Sequence, residues 1–262
     1  MRDLIDLDRF PIDRPGTPGY VALVARAKAD LAAQGMFNLD GFLRPDAAAK
    51  TVMALTPKFD TEAFTHARKH NIYFRKDLPL PADHPALTEV ETINRTLCAD
   101  QIDRADAISQ IYNWPPFIAF LAETMDKPAL HVMADPLARL NVMDYATGQG
   151  LNWHFDRSEF TTTLQLQAPE AGGAFEYRSD LRTADDPNYD GVARLLRGQD
   201  PDKYELTLKP GTLNVFRGKN TAHRVTPVVG QTHRMIAVFS YYERPGVMFS
   251  DDERRGFYGR AA

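Results

Sequence analysis

The chain has 262 residues, of which 44% are hydrophobic and 25% are charged, and its formal net charge is -4. This composition is ordinary for a globular protein and argues against a general nucleic-acid binder, which needs clustered lysine and arginine for phosphate contacts. Cys98 is the only cysteine, so an intramolecular disulfide is excluded, as in many proteins of the reducing cytosol. The amino terminus lacks the pattern of a signal peptide, and no apolar run reaches the roughly 20 residues of a membrane-spanning helix. We therefore expect a cytoplasmic protein without a membrane segment.

The first half of the chain, residues 1–129, has a mainly helical pattern. Thr17 and Pro18 are typical of a helix start, and Gly35 of a helix end. A short strand is predicted at 36–42, and the segment 61–74 is ambiguous between strand and loop. The predicted helices cover residues 20–34, 47–55 with a limit at Pro57, 85–98, and 108–125 with a break at Trp114-Pro115-Pro116.

From residue 130 onward, short extended segments alternate with Gly and Pro turns. The predicted strands cover residues 139–145, 161–167, 173–177, 204–208, 212–216, 224–228 and 235–242. Many short strands with such turns indicate a sandwich or barrel. The predicted fold class is therefore mainly β with α, a jelly-roll core of the cupin type buttressed by amino-terminal helices.

Two further segments flank this core. The insert 179–203, with a short helix at 189–196, fits a solvated connection and a lid over the site about equally. Ser250 and Glu253 have the spacing of a capping box, which predicts a short terminal helix.

The pair His154 and Asp156 is the strongest chemical signal in the sequence. Residues two apart on a strand share a face, so an imidazole and a carboxylate would point the same way. His223 follows a turn, a strand and a second turn that can return the chain to the same barrel mouth. Two His and one carboxylate on one face of an octahedron are the ligands expected of a non-haem Fe(II) oxygenase.

In motif order, residues 140–242 resemble the Fe(II)/2-oxoglutarate-dependent dioxygenases. The resemblance implies a double-stranded β-helix with His154, Asp156 and His223 as iron ligands and with Fe(II), 2-oxoglutarate and O2 as cofactors. It also implies that Arg234 holds the distal carboxylate of 2-oxoglutarate, a task that suits the rigid fork of a guanidinium. Some members place a hydroxyl two residues after this Arg, where this chain has Ile236.

Tyr145 is the predicted substitute for that hydroxyl, with Thr162 or Thr163 behind it. An aromatic side chain packed in the barrel is an equally good interpretation of Tyr145.

A closer resemblance, to the free-amino-acid halogenases of the lysine-chlorinating type and their hydroxylase relatives, is carried by residues 154–160, 169–177, 223–228 and 249–259. Halogenases of that branch have a small residue in place of the ligand carboxylate, which leaves room for chloride. Here Asp156 stands at that position, so the sequence resembles a hydroxylase.

Several alternatives stay open at this level. His154 and His223 could be structural, Glu159 is a poorer ligand than Asp156 because it would face away on a strand, and Arg217 is a weaker anchor than Arg234. A Zn or Mn hydrolase or isomerase, or a cupin-like binding module without activity, would also use a jelly roll. Oxidative cyclisation or desaturation would use the same iron ligands.

We thus expect one domain over 1–262, in which 1–129 gives helical support and part of the substrate pocket and 130–262 forms the core with the metal site. The expected reaction is hydroxylation of a free amino acid or a small amino-acid-derived metabolite, with release of succinate and CO2. The expected partner is a small-molecule substrate, and a homodimer is left open. Arg75 is a candidate contact for a substrate carboxylate, although a solvated side chain suits it better.

Overall fold

The structure is a computed structural model that describes residues 1–261. The helices are α1 (Pro18–Gln34), α2 (Pro45–Thr61), α3 (Ala107–Tyr112), α4 (Pro115–Thr124), α5 (Tyr189–Leu196) and α6 (Asp251–Tyr258). Short 3-10 turns lie at Pro85–Leu87 and Ala99–Gln101. Among the described helices, none has the length and apolar character needed to cross a lipid bilayer.

A large antiparallel sheet forms the base of the fold. Across the sheet its strands are β1 (Met36–Leu39), β11 (Leu213–Phe216), β7 (Thr161–Gln167), β14 (Arg234–Phe239), β5 (Leu140–Tyr145), β3 (Val90–Leu97) and β2 (Phe64–His70). Three of these strands, β1 to β3, come from the first half of the chain and extend the sheet at both edges. That half therefore contributes strands as well as helices.

A smaller antiparallel sheet carries the two histidines of the candidate site, His154 and His223. Its strands, in order, are β10 (Tyr204–Leu206), β9 (Phe175–Arg178), β12 (Ala222–Val225) and β6 (Leu151–His154). Two-stranded ladders join β8 (Ala171–Gly172) to β13 (Val228–Val229) and β4 (His131–Val132) to β15 (Tyr241–Tyr242). Together the sheets make the predicted jelly roll.

The hydrophobic core lies between the large sheet and helices α1 to α4. Leu164, Leu213, Ala237 and Phe239 belong to one buried cluster with the apolar faces of these helices. Because side chains alternate along a strand, the residues between them point to the other side, into the barrel. The side chains that point into the barrel therefore lie outside this hydrophobic cluster, and they can be polar or carry functional groups.

The structure corrects two helix predictions. Residues 85–98 were expected to be helical but contain the 3-10 turn and strand β3, which pairs with β2 and β5. Its β-branched Val90, Thr92, Ile93 and Thr96 suit a pleated strand, and cross-strand pairing outweighs the helical interpretation. Helix α2 continues through Pro57 to Thr61, so Pro57 does not limit it.

Other segments agree with the sequence analysis. The break between α3 and α4 falls at Trp114, and Pro115 occupies the first turn of α4, where its missing N–H costs no hydrogen bond. The ambiguous segment 61–74 contains strand β2. Ser250 and Glu253 form the capping box of α6, and the insert carries α5.

Candidate metal centre

His154 and Asp156 converge by a route that differs from the one expected. His154 is the last residue of β6, and Asp156 lies beyond the strand rather than on it. The backbone N–H of Asp156 donates to the carbonyl of Gly218 at 3.0 Å. A side chain at Gly218 would collide with the Asp156 carboxylate and with Thr161, so glycine is required there. The turn at Gly218, rather than strand alternation, therefore orients the carboxylate.

His223 reaches the same point from the neighbouring strand. It lies on β12 directly opposite His154 on β6, and the two imidazole ring centroids are 4.1 Å apart. Nε2 of His154 lies 3.4 Å from Oδ1 of Asp156, and Nε2 of His223 lies 3.5 Å from Oδ2. The three side chains offer ligand atoms that all lie within 4.8 Å of one another.

Backbone carbonyls fix the ring orientation of both histidines. Nδ1 of His154 lies 2.8 Å from the carbonyl of Asn152, and Nδ1 of His223 lies 2.9 Å from the carbonyl of Thr221. A carbonyl can only accept, so Nδ1 of each ring carries a proton, and in the neutral imidazole Nε2 then keeps its lone pair. This is the tautomer that a metal ligand needs.

The protonation states also suit a cation. Burial lowers the pKa of His154, which favours its neutral form. Burial would raise the pKa of Asp156, but the neighbouring His223 and His154 outweigh it and hold the pKa of that carboxyl well below its usual range. Two imidazoles and one carboxylate are ligand types that fit a divalent transition metal such as Fe(II).

Arg234 lies inside the barrel at the start of β14. Its side chain is 2% exposed, and within residues 1–261 it forms no ion pair and no side-chain hydrogen bond. Burial lowers its pKa to about 10. A buried guanidinium without an acceptor carries a large desolvation cost, which an incoming carboxylate would offset. Gly173 leaves room for it, since a Cβ there would lie 3.1 Å from Cδ of Arg234.

Tyr145 is directly opposite Arg234 across the β5 and β14 pairing. The Arg234 Cζ lies 5.7 Å from the centroid of the Tyr145 ring. Within residues 1–261, the thioether of Met143, at 3.4 Å, is the only hydrogen-bond partner of the Tyr145 hydroxyl, and burial raises the pKa of Tyr145 to about 12. A thioether is a weak acceptor, so this hydroxyl retains a proton to donate to a ligand.

The alternative candidates for co-substrate and metal contacts lie in different environments. Thr163 lies on the inner face, and its hydroxyl oxygen is buried without a partner in the described chain. Thr162 is in register with Phe239 and shares its outer face. Arg217 pairs with Asp180 at 3.4 Å, and Glu159 pairs with Lys127 at 2.7 Å, so neither joins the His154 cluster.

A cavity of about 610 Å³ opens beside this cluster. Alternate residues of β2, namely His66, Arg68 and His70, point into it. Phe257 and Tyr258 of α6 line another part, so the terminal helix covers the cavity. The first half of the chain thus lines part of the cavity through a strand that the sequence left ambiguous.

The insert 179–203 does more than connect two strands. Arg182 lines the cavity, and Val192 and Leu195 of α5 pack in one cluster with Trp153 and Phe155. It therefore forms a wall of the site. Trp153 itself packs in this cluster behind the cavity.

Comparison with known proteins places the chain in a family. Residues 22–248 match the family model HalD, Halogenase D. The chain belongs to the Halogenase D family. No curated protein matches it in sequence.

Solved structures share the fold of this Halogenase D member at low identity. HygX from Streptomyces hygroscopicus, with nickel and 2-oxoglutarate bound, is 11% identical with a TM-score of 0.58, covering 90% of this chain and 96% of that one. AviO1 from Streptomyces viridochromogenes is 18% identical with a TM-score of 0.57, covering 85% and 96%. An oxidoreductase of the 2OG-Fe(II) oxygenase family from Burkholderia pseudomallei is 13% identical with a TM-score of 0.53, covering 86% and 92%. The predicted double-stranded β-helix is confirmed.

Three residues beside the candidate metal cluster were not predicted from the sequence. Thr161 donates from its hydroxyl to Oδ2 of Asp156 at 2.5 Å. Arg68 and Arg182 line the cavity, whereas the proposed substrate contact Arg75 is exposed and lies outside it. The alternation of His66, Arg68 and His70 in the sequence could have predicted that Arg68 shares a strand face with the two histidines. No local pattern marks Arg182, because the fold of the insert brings it to the site.

Proposed function

We propose that this Halogenase D member is an Fe(II)- and 2-oxoglutarate-dependent oxygenase that hydroxylates an unactivated C–H bond of a free amino acid or a small amino-acid-derived metabolite. His154, Asp156 and His223 would hold the iron, and Arg234 and Tyr145 would hold the distal carboxylate of 2-oxoglutarate. The observation that carries the proposal is the convergence of two Nε2 lone pairs and one carboxylate within 4.8 Å.

The chemistry supplied by bound Fe(II), 2-oxoglutarate and O2 is oxidation of the substrate C–H to C–OH, with conversion of 2-oxoglutarate to succinate and CO2. The protein's own contribution is binding, orientation and exclusion of water. Asn152 and Thr221 hold the histidine tautomers through their carbonyls, and Thr161 holds the carboxylate. Arg234 would bind the co-substrate with two parallel hydrogen bonds.

Asp156 supports hydroxylation over halogen transfer. The halogenases that the sequence resembles have a small residue at this position, and the vacated place accepts chloride. In this chain the carboxylate lies 3.4 and 3.5 Å from the two Nε2 atoms and is fixed by Thr161. It would therefore occupy the place that a halide needs.

The direct test is a visible spectrum under anaerobic conditions. Addition of Fe(II) and 2-oxoglutarate should give a weak metal-to-ligand charge-transfer band in the wild-type protein. His223→Ala should lose the band because it lacks one ligand, and Arg217→Met should keep it. No band in folded, iron-loaded wild-type protein would contradict the proposal.

The substrate class needs a second measurement. Substrate-dependent release of succinate should be followed over a panel of amino acids and N-substituted derivatives, with the product mass recorded. A gain of one oxygen atom supports hydroxylation. A product with two hydrogens fewer would instead indicate desaturation or cyclisation.

A further inference from the structure

The wall of the 610 Å³ cavity has an unbalanced charge. Its lining includes four cationic side chains, Arg68, Arg157, Arg182 and Lys219, and, within residues 1–261, a single carboxylate, Asp156. Arg157 is paired with Glu253 at 2.8 Å. The other three cations form no ion pair with a carboxylate of the described chain.

Arg182 is placed next to the metal cluster. Its Cζ lies 3.9 Å from the ring centroid of Phe155, the residue between His154 and Asp156. Its Nε donates to the carbonyl of Lys219 at 2.8 Å, which fixes the plane of the guanidinium. The terminal nitrogens of Arg182 have no acceptor among residues 1–261. They remain available to a ligand in the cavity.

Arg68 approaches the cluster from the strand β2. Its Cζ lies 4.5 Å from the ring centroid of Phe74, and that ring lies 6.0 Å from the ring of His154. Phe74 is also stacked on His70 at 4.3 Å. The aromatic face holds the cation but offers no hydrogen-bond acceptor. Among residues 1–261, the Arg68 guanidinium forms no side-chain hydrogen bond and no ion pair.

Both guanidiniums carry a desolvation cost. Burial lowers the pKa of Arg68 and of Arg182, and repulsion from Arg157 adds to the effect on Arg68. His70, whose pKa burial lowers to about 4, is neutral at pH 7 and adds no charge. Planar guanidiniums bind carboxylates and phosphates in bidentate geometry, and such a partner would offset the cost.

A ligand with a free ammonium group would find no favourable partner in this cavity. The one carboxylate of the wall, Asp156, is a metal ligand under the proposed function. A basic side chain such as that of lysine would therefore enter a cavity with three unpaired cations and no acid to receive it. Like charges brought together in one site repel each other and weaken binding.

We propose that the cavity selects an anionic substrate, a small amino-acid-derived molecule with one carboxylate or phosphate bound by Arg182, a second anionic group bound by Arg68, and no free basic side chain. This inference rests on the proposed function for the role of Asp156. It narrows the substrate class of the proposed function to anionic amino-acid derivatives.

Calorimetric binding tests the proposal without turnover. The protein is loaded with Ni(II) and saturating 2-oxoglutarate, so that the Arg234 position is filled, and titrated with N-acetyl-L-glutamate, its monoanionic isostere N-acetyl-L-glutamine, O-phospho-L-serine and L-lysine. At least one dianionic ligand should bind about 10-fold or more tightly than N-acetyl-L-glutamine, and L-lysine should be the weakest. The tighter of the two dianions distinguishes carboxylate from phosphate.

Substitutions connect the binding to the two arginines. Arg182→Gln and Arg68→Gln should each weaken the dianion about 10- to 100-fold, the effect of one charge-assisted contact. Arg26→Gln, an exposed position on α1, is the matched control and should change nothing. If Arg182→Gln unfolds, Arg182→Lys keeps the charge and should retain part of the affinity.

Three results would overturn the inference: L-lysine or N-acetyl-L-glutamine binding as tightly as the dianions, no binding of either dianion, or arginine variants that match the control. Repeating the dianion titrations on metal-free wild-type protein separates the two proposals. Retained dianion binding, together with absence of the anaerobic Fe(II)/2-oxoglutarate band in the wild type, would count against the proposed function alone.

Discussion

The hydroxyl of Thr161 donates a hydrogen bond to Oδ2 of Asp156 at 2.5 Å. Thr161 begins β7 on the large sheet, whereas Asp156 follows β6 on the small one. This bond therefore ties the candidate carboxylate ligand to the opposite sheet. Bonds of this kind fix the direction of a ligand oxygen and are part of the design of metal sites.

Removal of this hydroxyl should weaken metal binding. Thr161→Val keeps the shape of the side chain but leaves Asp156 free to rotate, and we expect the affinity for Fe(II) or Co(II) to fall about 10- to 100-fold. Calorimetric titration measures it. Thr161→Ser retains the donor and should bind like the wild type. Equal affinity in the valine variant would show that Thr161 does not position Asp156.

Arg234→Met should remove 2-oxoglutarate binding without lowering the stability of the protein. The buried guanidinium has no ion-pair partner within residues 1–261, so its replacement by an apolar side chain of similar length should leave the free energy of unfolding unchanged or raise it by about 1 kcal/mol or more. The same variant should lose the thermal stabilisation that 2-oxoglutarate gives the wild type. A variant that is strongly destabilised, or still stabilised by 2-oxoglutarate, would contradict this role.

Arg217→Met is the matched control for that experiment. Arg217 pairs with Asp180 and lies outside the site, and surface pairs contribute about 0 to 1 kcal/mol. Its variant should respond to 2-oxoglutarate like the wild type. Loss of the response would indicate that Arg217 takes part in binding 2-oxoglutarate.

The sequence predicted the chemical cluster better than the elements that carry it. His154, Asp156 and His223 meet in the structure because residue type and chain order suffice to suggest a ligand set. Their assignment as iron ligands stays a prediction. The expected mechanism for Asp156 was wrong, since the strand ends at His154 and a glycine turn aims the carboxylate.

The cavity was harder to predict, because its walls depend on long-range pairing. Strand β3 was mistaken for a helix, and only its pairing with β2 and β5 makes the hairpin that presents Arg68. Arg182 comes from an insert with no regular pattern around it. Such contacts depend on tertiary structure, which local propensity does not encode.

Asp156→Gly should abolish hydroxylation. The substitution removes one of three ligands and the acceptor of the Thr161 hydroxyl, and it leaves a gap beside Gly218. We expect no hydroxylated product by mass spectrometry and weaker Fe(II) binding. Asp144→Asn is not a suitable control because Asp144 is buried beside Arg95, so exposed Asp252→Asn is used. Full hydroxylation by the glycine variant would show that Asp156 is not the carboxylate ligand.

Asp135 gives a prediction for acid stability. Its carboxylate is fully buried and accepts from Nε of Arg254 at 2.9 Å and from the backbone of Phe249 at 3.0 Å. Burial would raise its pKa, but the backbone N–H of Ala138 and the Arg254 guanidinium outweigh it and lower the pKa. The resulting stabilisation is complete above the unfolded value of about 3.9 and is lost as the pH falls through the lower folded value.

Asp135→Asn should therefore lose about 3 kcal/mol of unfolding free energy at pH 7, because it leaves Arg254 without its buried partner. Urea unfolding should show that the wild type has a lower free energy of unfolding at pH 3 than at pH 7, whereas the free energy of the variant depends less on pH. The difference between the two proteins is therefore smaller at pH 3.

Since Arg254 anchors α6, which carries Phe257 and Tyr258 over the cavity, limited proteolysis should also cut the variant faster in that helix. Asp252→Asn, on the exposed side of α6, should behave like the wild type in both assays. An equal pH dependence in Asp135→Asn and wild type would show that this carboxylate does not control acid stability.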